Sequence, residues 1–342
     1  MSLLLTIYNC QIMKQTVESF IVRTARDMRL RGQFSVARTC TSALKGLSAV
    51  AGNRILTFVD LTPALLKNYE HYLLGHERSR NTVSLYMRTL HNICNRARRK
   101  GIACMPGDLF EGVFTGMDPV RHRAVAPEVI RRIGGMELEG RNARLAFARD
   151  MFILSFYLQG IPFIDLAYLR KCDLKGETIT YRRRKTGKPA CLMVEPCALE
   201  IIDRYAPLAG KTIYLLPIIR TQGNLEDERR LYESALRLYN KHLNRIGILL
   251  GLDMPLTSYV ARHSWATIAH DIGVDIADIS TALCHSSEKM THNYLQSFTT
   301  DRQVSVNRRV LRAVLGNETG NIKKGKYKKG KIPRDVFYSG SL

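Results

Sequence analysis

Three residues in the last quarter of the chain have types and an order that can cleave a phosphodiester. Arg262, His285 and Tyr294 follow one another on three consecutive segments with helical patterns. A guanidinium offers two parallel donors to phosphate oxygens, an imidazole can donate a further hydrogen bond, and a phenol can attack phosphorus. The ordered triple therefore predicts DNA strand cleavage through a phosphotyrosine.

The charge of the chain points to the same kind of partner. Among 342 residues, 52 Lys and Arg against 30 Asp and Glu leave a formal net charge of +22, which suits a polyanion such as double-stranded DNA. No run approaches the roughly 18 apolar residues of a membrane span, so we expect no membrane association. The eight cysteines are scattered without zinc-ligand spacing, which predicts reduced thiols in a cytoplasmic protein. Met1 and Met13 both remain candidate starts.

Helical periodicity alone accounts for the first part of the chain. Thr62 before Pro63, and the polar residues from Ser79 to Thr82, supply the side chains that begin helices. The pattern predicts a small helical domain over residues 15–110, with helices at Val17 to Leu30, Phe34 to Val50, Leu65 to Leu74 and Val83 to Ala97.

A stretch rich in Pro and Gly, from Met105 to Ala124, predicts a linker to a second domain over residues 121–317. In that domain two segments of strand character, Thr178 to Arg184 and Ala190 to Val194, flank a Lys-Thr-Gly-Lys-Pro turn and predict a hairpin. Residues 318–342 form a basic tail. Further helices are predicted at Pro127 to Ile133, Ala143 to Leu158, Glu228 to Leu250, Ser258 to Ile272, Ile276 to Cys284 and Ser287 to Tyr294.

These motifs resemble the tyrosine site-specific recombinases, also called the phage integrase family. The resemblance rests on Tyr259 to Thr267, Leu283 to Ser287 and Thr291 to Tyr294, whose gaps match the family pattern. It implies a mainly α fold with a small β-hairpin or sheet (α+β), in which an N-terminal helical core-binding, SAM-like domain precedes the catalytic domain. It also implies DNA integration, excision or inversion, and the sequence does not choose among these outcomes.

The resemblance assigns a role to each candidate catalytic residue. Tyr294 is the expected nucleophile, and its 3′-phosphotyrosyl bond stores the energy of the broken linkage, so no cofactor or metal is expected. Arg262 and His285 are expected to stabilise the phosphate in the transition state. Lys185, at the hairpin turn, corresponds to the family's general acid, and Lys188 is the competing candidate.

The resemblance also implies partners: double-stranded DNA with inverted-repeat core sites, and a homo-oligomer that is a tetramer on DNA and a monomer when free. The segment from Thr300 to Leu315 either docks on a neighbouring protomer or packs on its own domain. The basic end of the fourth helix either contacts DNA or balances the helix dipole. The residues expected to contact DNA are Arg96, Arg98, Arg99, Lys100, Arg182, Arg183, Arg184 and Lys188.

Two positions depart from the family pattern. The family's first catalytic arginine corresponds to Pro162, between Gly160 and Asp165, which do fit; Gln159 carries no charge either. Arg149, Arg170 and Arg182 are the candidates to replace the missing cation. Tyr259 stands where a histidine is common, and its phenol can donate a hydrogen bond to phosphate but cannot relay protons near neutral pH.

The Pro162 departure keeps an alternative open, namely a sequence-specific DNA-binding protein that has this fold but little or no cleavage activity. A type IB topoisomerase shares the chemistry, although the compact N-terminal domain favours a recombinase. The recognised DNA sequence cannot be derived, because base readout depends on how both domains dock.

Overall fold

The computed structural model describes residues 15–102, 107–118, 123–138, 142–221, 223–285 and 291. Among these residues the fold is mainly helical with one small sheet, as expected. None of the helices in this part of the chain combines the length and apolar character needed to cross a bilayer. Contacts divide the chain into one unit that ends at Ile268 and another that begins at Ala269.

In residues 15–102 the first domain has four helices: α1 (Val17–Leu30), α2 (Phe34–Val50), α3 (Pro63–Gly75) and α4 (Arg80–Arg99). Side-chain caps fix the starts of α3 and α4, since the Thr62 hydroxyl accepts the Leu65 amide and the Ser79 hydroxyl accepts the Thr82 amide, each at 3.2 Å. Their apolar faces bury one shared core around residues such as Phe20, Leu66 and Met87. The cap positions expected from the sequence are therefore confirmed.

The stretch predicted as a linker is packed along residues 107–118. Val113 joins the first core, and the Phe114 amide donates to the buried Glu70 carboxylate at 2.9 Å. Asn81 exchanges two hydrogen bonds with the backbone of Asp118, at 2.8 and 3.0 Å. Gly112, at a φ of +78°, turns the segment, and the described residues 107–118 pack on α3 and α4.

Between Pro127 and Asp271, the described residues of the second domain form six α-helices and one antiparallel sheet. The helices are α5 (Pro127–Gly134), α6 (Ala143–Tyr157), α7 (Phe163–Tyr168), α8 (Pro196–Tyr205), α9 (Leu225–Leu249) and α10 (Val260–Asp271). The sheet has the order β1 (Leu174–Lys175), β2 (Thr178–Arg182), β3 (Pro189–Met193), with Thr178 opposite Met193 and Arg182 opposite Pro189. The predicted hairpin is thus confirmed, and α6 lies in the core with α8 and α9 around it.

The sequence patterns missed α7, α8 and β1. The first has six residues and the last only two, which is too short for a periodicity to show. In the unit that begins at Ala269, helix α11 (Ile276–Ala282) follows an Asp275 cap whose side chain accepts the Ala277 amide at 2.8 Å. The predicted helix from Ser287 to Tyr294 (Thr291 excepted), the segment from Thr300 to Leu315 and the basic tail lie outside the described residues.

Candidate active site

Arg262 is fixed on the first turn of α10. The preceding Val260 and Ala261 are fully buried and anchor this turn in the core of the second domain. The Arg262 side chain is itself 4% exposed, and its Nη1 donates to the carbonyl oxygen of Gly160 at 2.9 Å. A hydrogen bond to a backbone carbonyl orients the guanidinium without neutralising its charge.

Gly160 lies against Arg262 so closely that no other residue fits. Its φ is +68°, in the left-handed region, and a Cβ built on it would lie 2.7 Å from the Arg262 Cα. Gln159 before it also has a positive φ, of +56°. The turn between α6 and α7 is therefore shaped around the arginine.

Asp165 connects this turn to the β2–β3 hairpin. Its buried carboxylate accepts a hydrogen bond from the Arg183 Nε at 3.2 Å and from the Arg184 amide at 2.9 Å. Burial raises the pKa of the Asp165 carboxyl, and the Arg184 amide together with the charges of Arg183 and Arg262 opposes the rise. Asp165 thus lies within electrostatic reach of both arginines.

The end of the hairpin presents the other predicted cations in different ways. Arg182 is exposed and donates to the Gly187 carbonyl at 3.1 Å, whereas the Arg184 guanidinium lies 4.0 Å from the centre of the Tyr168 ring. Lys185 and Lys188 are both exposed. Lys185 lines a cleft beside the hairpin and Lys188 does not, which favours Lys185 for a reaction in that cleft.

This cleft has a volume of about 1330 Å³ and is strongly basic. Among the described residues that line it, Glu233 is the one acid, and it pairs with Arg229 at 2.6 Å and with Arg38. The cations come from α2 and the turn before it, from the hairpin and from α9. They are Arg31, Arg38, Arg182, Arg183, Arg184, Lys185, Arg229, Arg230 and Arg237.

Tyr259 immediately precedes α10 and is 45% exposed. Its ring lies 5.6 Å from that of His263, centre to centre. Burial raises the pKa of the neighbouring Tyr232 to about 12, and both Tyr259 and Asp165 contribute to the rise. Tyr259 therefore shares a neighbour with Asp165, and nearly half of its surface is open to solvent.

His285 lies in the unit that begins at Ala269, where it follows a sharp end of α11. Cys284 has a φ of +50°, and the His285 amide donates to the Ser280 carbonyl at 2.9 Å. The His285 Nδ1 is 2.8 Å from the hydroxyl of the fully buried Thr291, a contact that orients the ring. Tyr294 lies outside the described residues.

The three arginines proposed to replace the missing cation are held elsewhere. Arg149 pairs with Asp150 at 2.7 Å and donates to the Met136 carbonyl, and Arg170 pairs with Asp173 at 2.8 Å. Arg182 is turned to the Gly187 carbonyl. The cation beside Asp165 is Arg183, which the sequence indicated only as a DNA contact, because the pairing joins residues 18 positions apart.

The basic end of α4 is largely open to solvent. Arg98, Arg99 and Lys100 are exposed, and Arg96 is half-buried. Arg98 donates to the Asn95 side chain at 3.2 Å, and Arg99 donates to the Asn95 carbonyl at 3.4 Å. Within the described ranges, no group of His, Cys, Asp and Glu residues has the arrangement of a metal site.

Two family models match the chain. The Phage integrase SAM-like domain matches residues 16–106, and the Phage integrase family matches residues 168–300. The tyrosine recombinase XerC of Syntrophus aciditrophicus (strain SB) is 28% identical over 172 residues, which are 47% of this chain and 50% of that protein. The chain therefore spans about half the length of this curated relative.

Solved structures share the fold at low sequence identity. The Tn1549 transposon integrase in complex with transposon right end DNA has a TM-score of 0.58 and 14% identity, covering 86% of this chain and 99% of that one. A lambda integrase dimer bound to a COC′ core site has a TM-score of 0.56 and 15% identity, covering 85% and 80%. The two family models, together with the curated relative, place the chain in the phage integrase family, the tyrosine site-specific recombinases.

Proposed function

We propose that this chain is a site-specific DNA recombinase that cleaves and rejoins DNA through a 3′-phosphotyrosyl bond to Tyr294. The observation that carries the proposal is the setting of Arg262, a buried guanidinium held by the Gly160 carbonyl within electrostatic reach of Asp165. A buried arginine that is oriented in this way suits a phosphate oxyanion. The family match over residues 168–300 also contains Arg262, His285 and Tyr294 in the expected order.

In the proposed reaction the Tyr294 phenol gives up its proton to water while its oxygen bonds to the scissile phosphorus, and the bond from phosphorus to the 5′ oxygen breaks. Arg262 neutralises charge on the non-bridging oxygens, and His285 donates a hydrogen bond to them through Nε2 while Thr291 holds Nδ1. Lys185 gives its proton to the departing 5′ oxygen. Tyr259 donates a hydrogen bond to phosphate without relaying protons.

The proposed substrate is double-stranded DNA with inverted-repeat core sites, bound in the basic cleft and at the exposed end of α4. Among the described residues that line the cleft, nine are cationic and one is acidic, so the cleft attracts phosphates. A lambda integrase of similar fold was solved as a tetramer bound to a Holliday junction, which supports a tetramer on DNA for this chain too. We place this activity in the cytoplasm, in keeping with the free thiols among the described cysteines.

The test is covalent trapping on a nicked suicide substrate that carries inverted-repeat DNA from beside the protein's own gene. Wild-type protein should give a DNA adduct on a denaturing gel, and Tyr294→Phe should give none while binding DNA with nearly the same affinity. Tyr259→Phe also loses one phenol but keeps the nucleophile, so it should still form the adduct, at a lower rate because one hydrogen bond to the phosphate is lost. Tight DNA binding without an adduct in the wild type would favour the non-cleaving DNA-binding alternative.

A further inference from the structure

The position of the family's first catalytic arginine contributes no donor in this chain. Pro162 caps the start of α7 with extended backbone angles of −62° and 146°, and its ring has neither an N–H nor a charge. One turn later Asp165 points its buried carboxylate at the β2–β3 hairpin. The acid that accompanies the arginine in the family pattern is thus retained, and another cation faces it.

That cation is Arg183, which is 7% exposed although its neighbours Arg182 and Arg184 are exposed. Its Nε donates to Asp165 at 3.2 Å, and two backbone hydrogen bonds across the turn hold its main chain: Arg183 N to the Lys188 carbonyl at 2.9 Å and Gly187 N to the Arg183 carbonyl at 2.8 Å. Arg183 also lines the basic cleft. Its guanidinium is therefore positioned before DNA binds, at little further entropic cost.

Two guanidinium groups lie at the turn that contains Pro162. The Arg183 Nε donates to Asp165 at 3.2 Å, and the Arg262 Nη1 donates to the Gly160 carbonyl at 2.9 Å. A guanidinium is a planar set of donors that suits phosphate oxygens. The turn therefore offers two phosphate-binding side chains beside the position where the family pattern has its first arginine.

We propose that Arg183 contacts the scissile phosphate together with Arg262 and so supplies the cation that is missing at Pro162. Asp165 is then a positioning residue, because it holds Arg183 by its side chain and the hairpin by the Arg184 amide. This role rests on the proposed function. It makes the hairpin a source of two catalytic cations, Arg183 on its buried side and Lys185 on its exposed side.

The experiment compares Arg183→Gln with Lys175→Gln, which removes the same charge from an exposed position in the same sheet, outside the basic cleft. The cleavage position is first mapped from the Tyr294 adduct. Rates of adduct formation are then measured on an ordinary substrate and on one with a methylphosphonate at that position, which lacks the non-bridging charge. Arg183→Gln should slow cleavage of ordinary DNA by about 10² to 10³, as for loss of one oxyanion donor.

On the methylphosphonate substrate Arg183→Gln should slow cleavage by less than about tenfold, since that substrate has no non-bridging charge to neutralise. Lys175→Gln should change neither rate by more than about threefold. An equal loss on both substrates would overturn the phosphate contact and leave Arg183 a structural partner of Asp165. If Arg183→Gln does not fold, Asp165→Asn combined with Arg183→Gln removes both buried charges, and the same comparison applies.

Failure of this role is distinguishable from failure of the proposed function. If Arg183→Gln forms the Tyr294 adduct at the wild-type rate, only the proposed role of Arg183 is overturned. A wild-type protein that binds DNA and forms no adduct through Tyr294 would overturn both.

Discussion

Replacing Gly160 with alanine should disturb both stability and cleavage, because two separate costs meet at this residue. The backbone cost of an L side chain at a φ of +68° is about 1 to 2 kcal/mol. The steric cost arises because the new Cβ lies 2.7 Å from the Arg262 Cα and 3.0 Å from its Cβ and Cγ. Overpacking of this kind costs about 1 to 3 kcal/mol, so we expect a total of about 2 to 5 kcal/mol.

Gly176 provides the matched control, since its φ is +57° and no atom lies within 4 Å of an added Cβ. Gly176→Ala should therefore show the backbone cost alone, about 1 to 2 kcal/mol in urea unfolding. The difference between the two variants isolates the contact with Arg262. Equal free energies of unfolding would refute the close approach of Gly160 and Arg262.

The same variant tests the placement of the catalytic arginine. To reach an ordinary 3.4 Å separation the Arg262 backbone must move by 3.4 − 2.7 = 0.7 Å. Since a misplacement of about 1 Å can cost about 10² in rate, Gly160→Ala should slow adduct formation by roughly 10 to 10². Gly176→Ala should leave the rate unchanged, under conditions in which both variants are fully folded. A Gly160→Ala protein with the wild-type rate would remove Arg262 from the reaction.

Three further perturbations have defined outcomes. Lys185→Ala should slow cleavage of ordinary DNA, and its cleavage rate should recover on a substrate with a 5′ sulfur leaving group, which needs little protonation. If Lys188→Ala shows this pattern and Lys185→Ala does not, Lys188 is the general acid. Glu233→Gln should tighten DNA binding about fivefold to tenfold at ~0.1 M salt, because Arg229 and Arg38 lose their ion pair and can contact phosphates instead. The affinity should also fall more steeply with salt concentration than in the wild type, and an unchanged slope would contradict this reasoning. Burial raises the pKa of Glu70, but hydrogen bonds from Lys67 and the Phe114 amide outweigh it and the net pKa is lowered. Glu70→Gln should thus lose about 1.5 to 3 kcal/mol of unfolding free energy near pH 7. This deficit should begin to shrink as the pH falls below the unfolded pKa of about 4.3 and should vanish once the pH has passed through the lower folded pKa; a deficit constant with pH would refute the charged contact.

Much of the helical architecture followed from local rules. The bounds of α1 and α2 were predicted to the residue, because each helix buries one apolar face and that face recurs at helical spacing. The helix starts at Thr62 and Ser79 follow from hydroxyls that accept amides three residues on. The hairpin was predictable because strand-forming runs flank a turn that contains Gly187 at a φ of +69°.

The sequence alone determined the order of Arg262, His285 and Tyr294, the charge of +22 and the position of Lys185 at the hairpin turn. These features follow from residue type and spacing, which do not depend on the fold. The tertiary structure decided which cation faces Asp165, since an ion pair depends on where a strand end and a helix start meet in space. It also decided why position 160 must be glycine, a requirement imposed by Arg262 from 102 residues away. Such contacts are set by packing between elements, and no pattern within either segment encodes them.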